Sequence, residues 1–277
     1  MFQKSTYLLL AAAVAFVLHG CKQSDPPYDG RDGDTVEFAG QTWDVKSSND
    51  RVGPGPNLFS ERFSDVYVDE NGWLHLKIAR HGTQWYASEV ISQSVVGYGR
   101  YEWTVGSDVW NLPENIVVGL FTWDNNTFQE AANSEVDIEF SKWGDVDAAS
   151  TLSYSVQPVN FGTYFPERTY GDPASTTSAL EGVSTHVFNW TDSLITWESY
   201  EGDAASGTPI DTWSFDLNNP ARAKQEGGNI SNSIIIPEPG ATTNARINFW
   251  ILPHIDAAPT DGAEQELIVR SFNYTPF

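Results

Sequence analysis

The 277-residue chain is poor in cysteine and in positive charge. Cys21 is its only thiol, so no intrachain disulfide can staple the fold. Fifteen Lys and Arg face 37 Asp and Glu, for a net charge of −22. That balance excludes the electrostatic grip that nucleic acid or an anionic membrane surface demands. It also argues against a strongly anionic polymer as a substrate. His75, His81, His186 and His254 lie in separate segments without metal-ligand spacing; His186 reads as a packing residue. There is no Ser-His-Asp arrangement, phosphate loop or dinucleotide fingerprint. No amphipathic helix longer than a few turns is evident.

The N-terminus is a targeting segment. Lys4 precedes Tyr7–Leu18, an uncharged, mostly apolar run of 12 residues. A bilayer span needs about 20, so the run reads as a secretory signal. It ends Leu18-His19-Gly20-Cys21, which resembles a bacterial lipoprotein processing box with Cys21 as the lipidated residue. His19 departs from the small residue usual there. Residues 22–34 are polar, carry Pro and Gly, and lack periodicity, as a tether does. The expected organisation is a signal peptide over 1–20, a lipid-anchored linker over 21–34 and one domain over 35–277. Such a protein is exported and tied to the cell envelope through its anchor alone. Lys22 is compatible with outer-membrane sorting. A monomer is expected.

Short strand-like runs fill the domain. Ser64–Val68 and Trp73–Ala79 flank Asp-Glu-Asn-Gly at 69–72 and read as a hairpin. Arg100–Val105, Ile116–Trp123, Glu135–Phe140, Leu152–Gln157, His186–Trp190, Ser193–Tyr200, Ala245–Leu252 and Glu266–Tyr274 follow. With 22 Gly and 15 Pro between them, they predict an all-β sandwich. Most of the 11 Trp, 11 Tyr and 15 Phe belong in its core. A surplus of rings also suits stacking on sugars.

Residues 134–144 hold the chemistry. Glu135, Asp137 and Glu139 alternate with Val136, Ile138 and Phe140. Period-two alternation marks a half-buried strand with three carboxyls on one face. In so acidic a chain the spacing alone is weak, and an acidic solvent-facing strand is the competing reading. Against it stand the large apolar residues at every alternate position and the aromatic strand-like runs on either side. Like charges on one strand face raise each other's cost of ionising. Carboxyl pairs with split pKa values are what glycoside hydrolysis uses.

Gly97-Tyr98-Gly99-Arg100-Tyr101-Glu102, Val117–Trp123, Glu135-Val-Asp-Ile-Glu139-Phe, Thr185–Trp190, Ile195-Thr-Trp197 and Arg246-Ile-Asn-Phe-Trp250 together resemble glycoside hydrolase family 16, over residues 36–277. The resemblance implies a β-jelly roll of two packed antiparallel sheets with a concave substrate cleft. It implies a retaining, endo-acting glycosidase that needs no cofactor. Glu135 corresponds to the nucleophile, Glu139 to the general acid/base and Asp137 to the assisting carboxylate. Four residues of strand put the Glu135 and Glu139 Cα atoms about 13 Å apart. Leaning side chains and sheet curvature could bring the carboxyls toward the ~5–5.5 Å of retaining enzymes. Some members carry an inserted residue, and so a bulge, before the last Glu. This chain has the regular form, which resembles lichenases and xyloglucan-active members and implies a neutral β-glucan.

The resemblance also implies substrate contacts at Glu102, Trp123, Asn248 and Trp250, with Asn57 at the cleft edge. For Glu102 the alternative is a solvated strand residue, for Trp123 core packing, and for Asn57 a turn. Thr104 stands where many members carry Arg, which implies a cleft lacking that cation. Members often bind one structural Ca²⁺, but no loop here has a recognisable calcium spacing, so no ligands are assigned. Two other activities stay open: a transglycosylase with the same triad, and a non-catalytic surface glycan-binding sandwich.

Overall fold

The computed structural model describes residues 34–159, 169–171, 178–216, 221–224, 230–234 and 236–277. Residues 1–33, which include the stretches read as signal peptide and tether and Cys21, lie outside them. The strands are β1 (Thr35–Phe38), β2 (Gln41–Val45), β3 (Ser48–Val52), β4 (Asn57–Phe59), β5 (Val66–Val68), β6 (Leu74–His81), β7 (Gln84–Val95), β8 (Gly99–Val105), β9 (Ile116–Trp123), β10 (Val136–Phe140), β11 (Leu152–Val156), β12 (Thr169–Tyr170), β13 (Ser184–Trp190), β14 (Leu194–Glu201), β15 (Asp211–Asp216), β16 (Ala221–Lys224), β17 (Ile230–Ile234), β18 (Asn244–Ile251) and β19 (Gln265–Pro276). One α-helical turn, Phe128–Ala131, precedes β10.

Pairing divides most strands into two antiparallel sheets. The first runs β1–β2–β7–β18–β9–β10–β11–β12. The second runs β5–β6–β19–β8–β13–β14–β15. The β6–β7 hairpin joins them at one edge, and β3 and β4 pad that edge. The β-sandwich expected from the turn-punctuated runs is the architecture found.

Alternation builds the core between the sheets. Val136, Ile138 and Phe140 of β10, Val118 and Leu120 of β9, and Ile247 and Phe249 of β18 point inward from the first sheet. Tyr101, Trp103 and Val105 of β8, Phe188 and Trp190 of β13, and Ile195 and Trp197 of β14 meet them from the second. Trp43, Trp103, Trp190 and Trp197 are wholly buried. Each Leu, Ile, Val or Phe so buried contributes about 1.5–3 kcal/mol of transfer free energy, which holds the sandwich without a disulfide.

Several polar groups in this core are paired, while the Trp103 Nε1–H is not. His186 lies between the sheets with its ring nitrogens 2.8 Å from Ser184 Oγ and 2.8 Å from Ser199 Oγ. Burial pushes its pKa down to about 3, so it is a neutral packing residue, as read from sequence. Trp197 reaches across the core from β14 and donates its Nε1–H to the Asp137 carbonyl, 3.1 Å away. The second sheet thereby grips the backbone of the acidic strand.

Replacing Trp197 by Phe keeps most of the ring and removes that donor. The expected result is a loss of about 1–3 kcal/mol, since the Asp137 carbonyl is left buried without its side-chain donor and a small void replaces the indole. Thermal unfolding of wild type and Trp197→Phe checks this; an unchanged midpoint would show that the contact contributes nothing.

Candidate active site

β10 lies between β9 and β11 in unbroken register: Asp137 opposes Phe121 and Ser155, and Glu139 opposes Gly119 and Ser153. There is no bulge, as the absence of an inserted residue implies. Since Val136, Ile138 and Phe140 fill the core, the carboxyls stand on the opposite face of the first sheet. Residues that share that face are Val117, Gly119, Phe121 and Trp123 from β9, and Arg246, Asn248 and Trp250 from β18. Glu89 of β7 completes the row, because it opposes Asn248.

Glu135 enters through an unusual backbone. Ala132, Asn133 and Ser134 have φ of 46°, 63° and 53°, a left-handed run that costs non-glycine residues roughly 1–2 kcal/mol each. Side-chain hydrogen bonds hold it. Asn133 Nδ2 donates to the Asp124 carbonyl (2.9 Å), and Ser134 Oγ donates to the Glu238 carbonyl (2.6 Å). Thr122 Oγ1 donates to the Ser134 carbonyl (2.8 Å). Asp124 in turn accepts from Thr242 N, Thr242 Oγ1 and Thr243 Oγ1 just ahead of β18. The turn before the triad and the strand facing it are thus locked together.

The three carboxyls behave as one group. Asp137 is 3% exposed, whereas Glu135 and Glu139 are half-buried. Asp137 accepts from Ser155 Oγ at 2.6 Å and from Gln157 Nε2 at 3.2 Å. Burial pushes the Asp137 pKa up to about 6, against the pull of Ser155, Gln157 and Glu135. Glu135 rises well above the usual carboxylate range, first through burial and then through the charges of Asp137 and Glu139; Arg246 opposes the rise. Glu139 rises through burial and the charge of Asp137, with the Ser155 hydroxyl opposing. Glu135 and Asp137 lie close enough to affect each other's ionisation, so a proton bound there belongs to the group rather than to either residue. The strand can therefore hold both a carboxylic acid and a carboxylate near neutrality.

The sequence-expected contacts divide. Asn248 is on the triad's face; its amide lies over Gly119, where an added Cβ would come within 2.5 Å of Oδ1. Glycine at 119 thus admits the amide beside Glu139, and Asn248 Oδ1 has no protein partner. Trp250 shares the face but is 9% exposed, packed with Phe59, Ala87, Val117, Leu252 and Trp143. Trp123 is half-buried there, its Nε1–H donated to Asn125 Oδ1, so it is not wholly a core residue.

Three expectations are corrected. Glu102 lies on β8 in the second sheet, alternating with the core residues Tyr101 and Trp103, so it points out of the opposite face. There its Oε2 pairs with Arg100 Nη2 at 2.7 Å; it is the solvated strand residue. Thr104, on the same strand, bonds Thr185 Oγ1, so its identity does not empty the cleft of cations. Asn57 is the turn residue: buried, it spends both amide hydrogens on the carbonyls of Pro54 and Ile251.

The sequence reading missed Glu89, Lys46, Gln157, Phe121 and Trp143 and gave no role to Arg246. Glu89, 1% exposed, accepts Lys46 Nζ at 2.7 Å and lies 3.3 Å from Arg246 Nη1. β7 was unread because Ser88, Glu89, Ser92, Gln93 and Ser94 break its apolar pattern. Among the described residues no group of three or more His, Cys, Asp or Glu could hold a metal ion.

With the geometry in place, comparison with known proteins is informative. No protein-family model matches this chain, and no curated protein does. Solved structures match its fold. A Bacillus licheniformis β-glucanase shares 16% identity at a TM-score of 0.58, covering 91% of this chain and 96% of its own. A β-1,3-glucanase from Mycobacterium marinum shares 14% at 0.57, covering 93% and 100%. A Bacteroides ovatus mixed linkage glucan PUL GH16 protein, in complex with a G4G4G3G product, shares 13% at 0.58, covering 90% and 98%. The jelly-roll fold is therefore this chain's fold.

The clustered acids carry a stability cost with a defined pH sign. Glu135 and Asp137 hold protons in the folded state at pH values where the unfolded chain has lost them, so the contribution of Asp137 falls as pH rises from about 4 through about 6, and that of Glu135 falls as pH rises through its own raised range. Glu135→Gln keeps the side chain's size and removes an acid. It should unfold at a higher temperature than wild type at pH 7, with the gain fading toward pH 4. Melting curves across that range test it; a gain that grows as pH falls would refute the assignment.

Proposed function

We propose that this protein is a glycoside hydrolase of family 16 that cleaves β-linked polysaccharide internally with retention of anomeric configuration. The observation that carries the reading is the triad: three carboxyls on one face of an unbulged strand, on the exposed side of a jelly-roll sheet. Matching proteins of that fold include named β-glucanases and one holding a glucan product, which supports a β-glucan as substrate. The unbulged strand and the chain's negative charge favour a neutral β-1,4 or mixed β-1,3/1,4 glucan.

In this mechanism Glu135 attacks the anomeric carbon as a carboxylate, with Asp137 beside it as the assisting carboxyl. Glu139, kept protonated by burial, gives its proton to the leaving oxygen. Water then enters; Glu139 takes its proton, and the glycosyl–Glu135 ester is hydrolysed. The Asn248 carbonyl oxygen is free to accept from a sugar hydroxyl. Trp123 and Trp143 offer half-buried ring surface on the same side. The N-terminal sequence supports placing this activity on a lipid anchor at Cys21, outside the cytoplasm.

Incubation with a panel of neutral and sulfated β-glucans and galactans, beside Glu135→Gln, tests the proposal. Oligosaccharides of several lengths, released by wild type alone, are expected from a neutral β-glucan. The first-released anomer should be β; an α product would rule out double displacement. Glu139→Gln should lose far less activity on substrates with good leaving groups than on polymer, because such groups need little protonation. Equal losses on both would remove Glu139 from the acid's role. Glycan binding without products would favour a binding module.

A further inference from the structure

We propose that Trp143 is a sugar platform on the leaving-group side of the cleft, stacking on the pyranose ring that Glu139 helps to detach. The inference rests on the retaining-glycosidase reading, since that reading makes Glu139 the group facing the leaving oxygen.

Register places the surroundings of Trp143. Gly119 lies opposite Glu139 on β10 and opposite Asn248 on β18. Two residues along, Val117 lies opposite Trp250. That pair forms the next row on the triad's face, past Glu139 and away from Glu135. Trp143 packs onto this row, against Val117, Leu252 and Trp250. Its ring centroid is 6.5 Å from that of Trp250, with the planes at 70°. Trp123 marks the other end of the face: Phe121 opposes Asp137, and Trp123 is the next β9 side chain toward Glu135. In double displacement the sugar bonded to the nucleophile stays and the sugar beyond the acid departs. The row past Glu139 is therefore where the departing sugar lies.

Of the three tryptophans on this face, Trp143 keeps both a ring surface and a donor free. Trp250 is 9% exposed. The Trp123 ring has the Arg246 guanidinium 5.5 Å from its centroid, and its Nε1–H is donated to Asn125. Trp143 is half-buried, and among the described residues none accepts from its Nε1–H. An apolar ring with one polar edge suits the C–H face and hydroxyl rim of a neutral sugar.

The backbone presents this ring at a cost. Trp143 and Gly144 have φ of 52° and 84°, and Asp145 N donates to the Lys142 carbonyl at 2.9 Å. Two left-handed central residues make a turn of the type I′ kind, which favours Asn, Asp and Gly there. A bulky residue in that region is an outlier. Local contacts hold it: Trp143 N donates to Ser141 Oγ at 3.0 Å, and Gly144 N donates to the Glu114 carbonyl at 2.7 Å. Gly144 also leaves room for the next loop, since an added Cβ would come within 2.7 Å of Ile255 Cδ1. Strain fixed in this way gathers at ligand-binding sites, and packing on Trp250 alone does not call for a half-exposed indole at a strained position.

Two readouts test the proposal. Trp143→Asn suits the turn and removes the ring. It should lower kcat/KM by about tenfold on a glucan oligosaccharide with sugars on both sides of the cleaved bond, as loss of an aromatic anchor does. The loss should be several-fold smaller on the β-glycosyl fluoride of the same glycosyl part, whose leaving group has no ring to stack. Trp143→Phe, which keeps a ring without the donor, should fall between wild type and Trp143→Asn. A fluoride loss equal to or greater than the oligosaccharide loss, or no loss on either, would overturn the inference. The second readout needs no turnover. In Glu135→Gln, calorimetric titration with the oligosaccharide should show Kd rising about tenfold when Trp143→Asn is added; an unchanged Kd would overturn the inference as well. Should Trp143→Asn not fold, Trp143→Phe decides both readouts by the same comparison. Binding that weakens with Trp143→Asn in a protein whose wild type cleaves no polymer would keep Trp143 as a glycan contact and sink the glycosidase reading instead.

Discussion

Three carboxyl groups on one face of a single strand cannot all be charged. Burial of Asp137 and partial burial of Glu135 and Glu139 remove the water that would screen them, so some protons stay bound near neutrality. A strand carrying such a group is intrinsically costly to fold. The rest of the sandwich offsets that cost. The same β10 residues that lift the acids to one face bury Val136, Ile138 and Phe140 on the other, and Trp197 holds the strand from across the core.

Precision at Glu135 comes from a separate device. The left-handed run Ala132-Asn133-Ser134 stores strain beside the reacting group, a pattern common at functional sites. Its hydrogen bonds reach Asp124, Thr122 and the Glu238 carbonyl, and Asp124 reaches Thr242 and Thr243. The segments ahead of β10 and β18 thus share one network, and the latter strand carries Arg246 and Asn248. The geometry of acid, carboxylate and cation is set by buried polar contacts, which are strong where water is excluded. Gly119 contributes by absence: any side chain there would displace the Asn248 amide.

The strands legible in the sequence were those whose inner face is a clean apolar alternation, such as β9, β10, β13 and β18. Their ends shifted by a residue or two, as at Leu152–Val156 against Leu152–Gln157. β7 was not legible. Its Glu89 is buried by two cations from distant segments, and no local pattern announces a carboxylate that pairs with Lys46 and Arg246. The triad was legible because all its members lie within five residues. Contacts assembled from different strands were harder to read. Glu102 has the alternation of a functional strand residue, yet register placed β8 in the other sheet, where the same alternation points outward. Asn57 failed for a different reason: it is a residue type common at binding sites, but one of its amide hydrogens goes to the Pro54 carbonyl of its own turn and the other to the Ile251 carbonyl of β18. The cleft cation was sought at position 104 and lies at 246, since a guanidinium can reach one site from several strands.

The account turns on Glu135 as the group that bonds to the sugar. The most direct test is to trap that bond with an activated 2-deoxy-2-fluoro β-glucan oligosaccharide, which forms the ester quickly and hydrolyses it slowly, and to locate the adduct by mass spectrometry of peptides. The account predicts one glycosyl group per chain, on Glu135, and none on Glu135→Gln. An adduct on Glu139, or turnover of the reagent with no adduct at either residue, would contradict it.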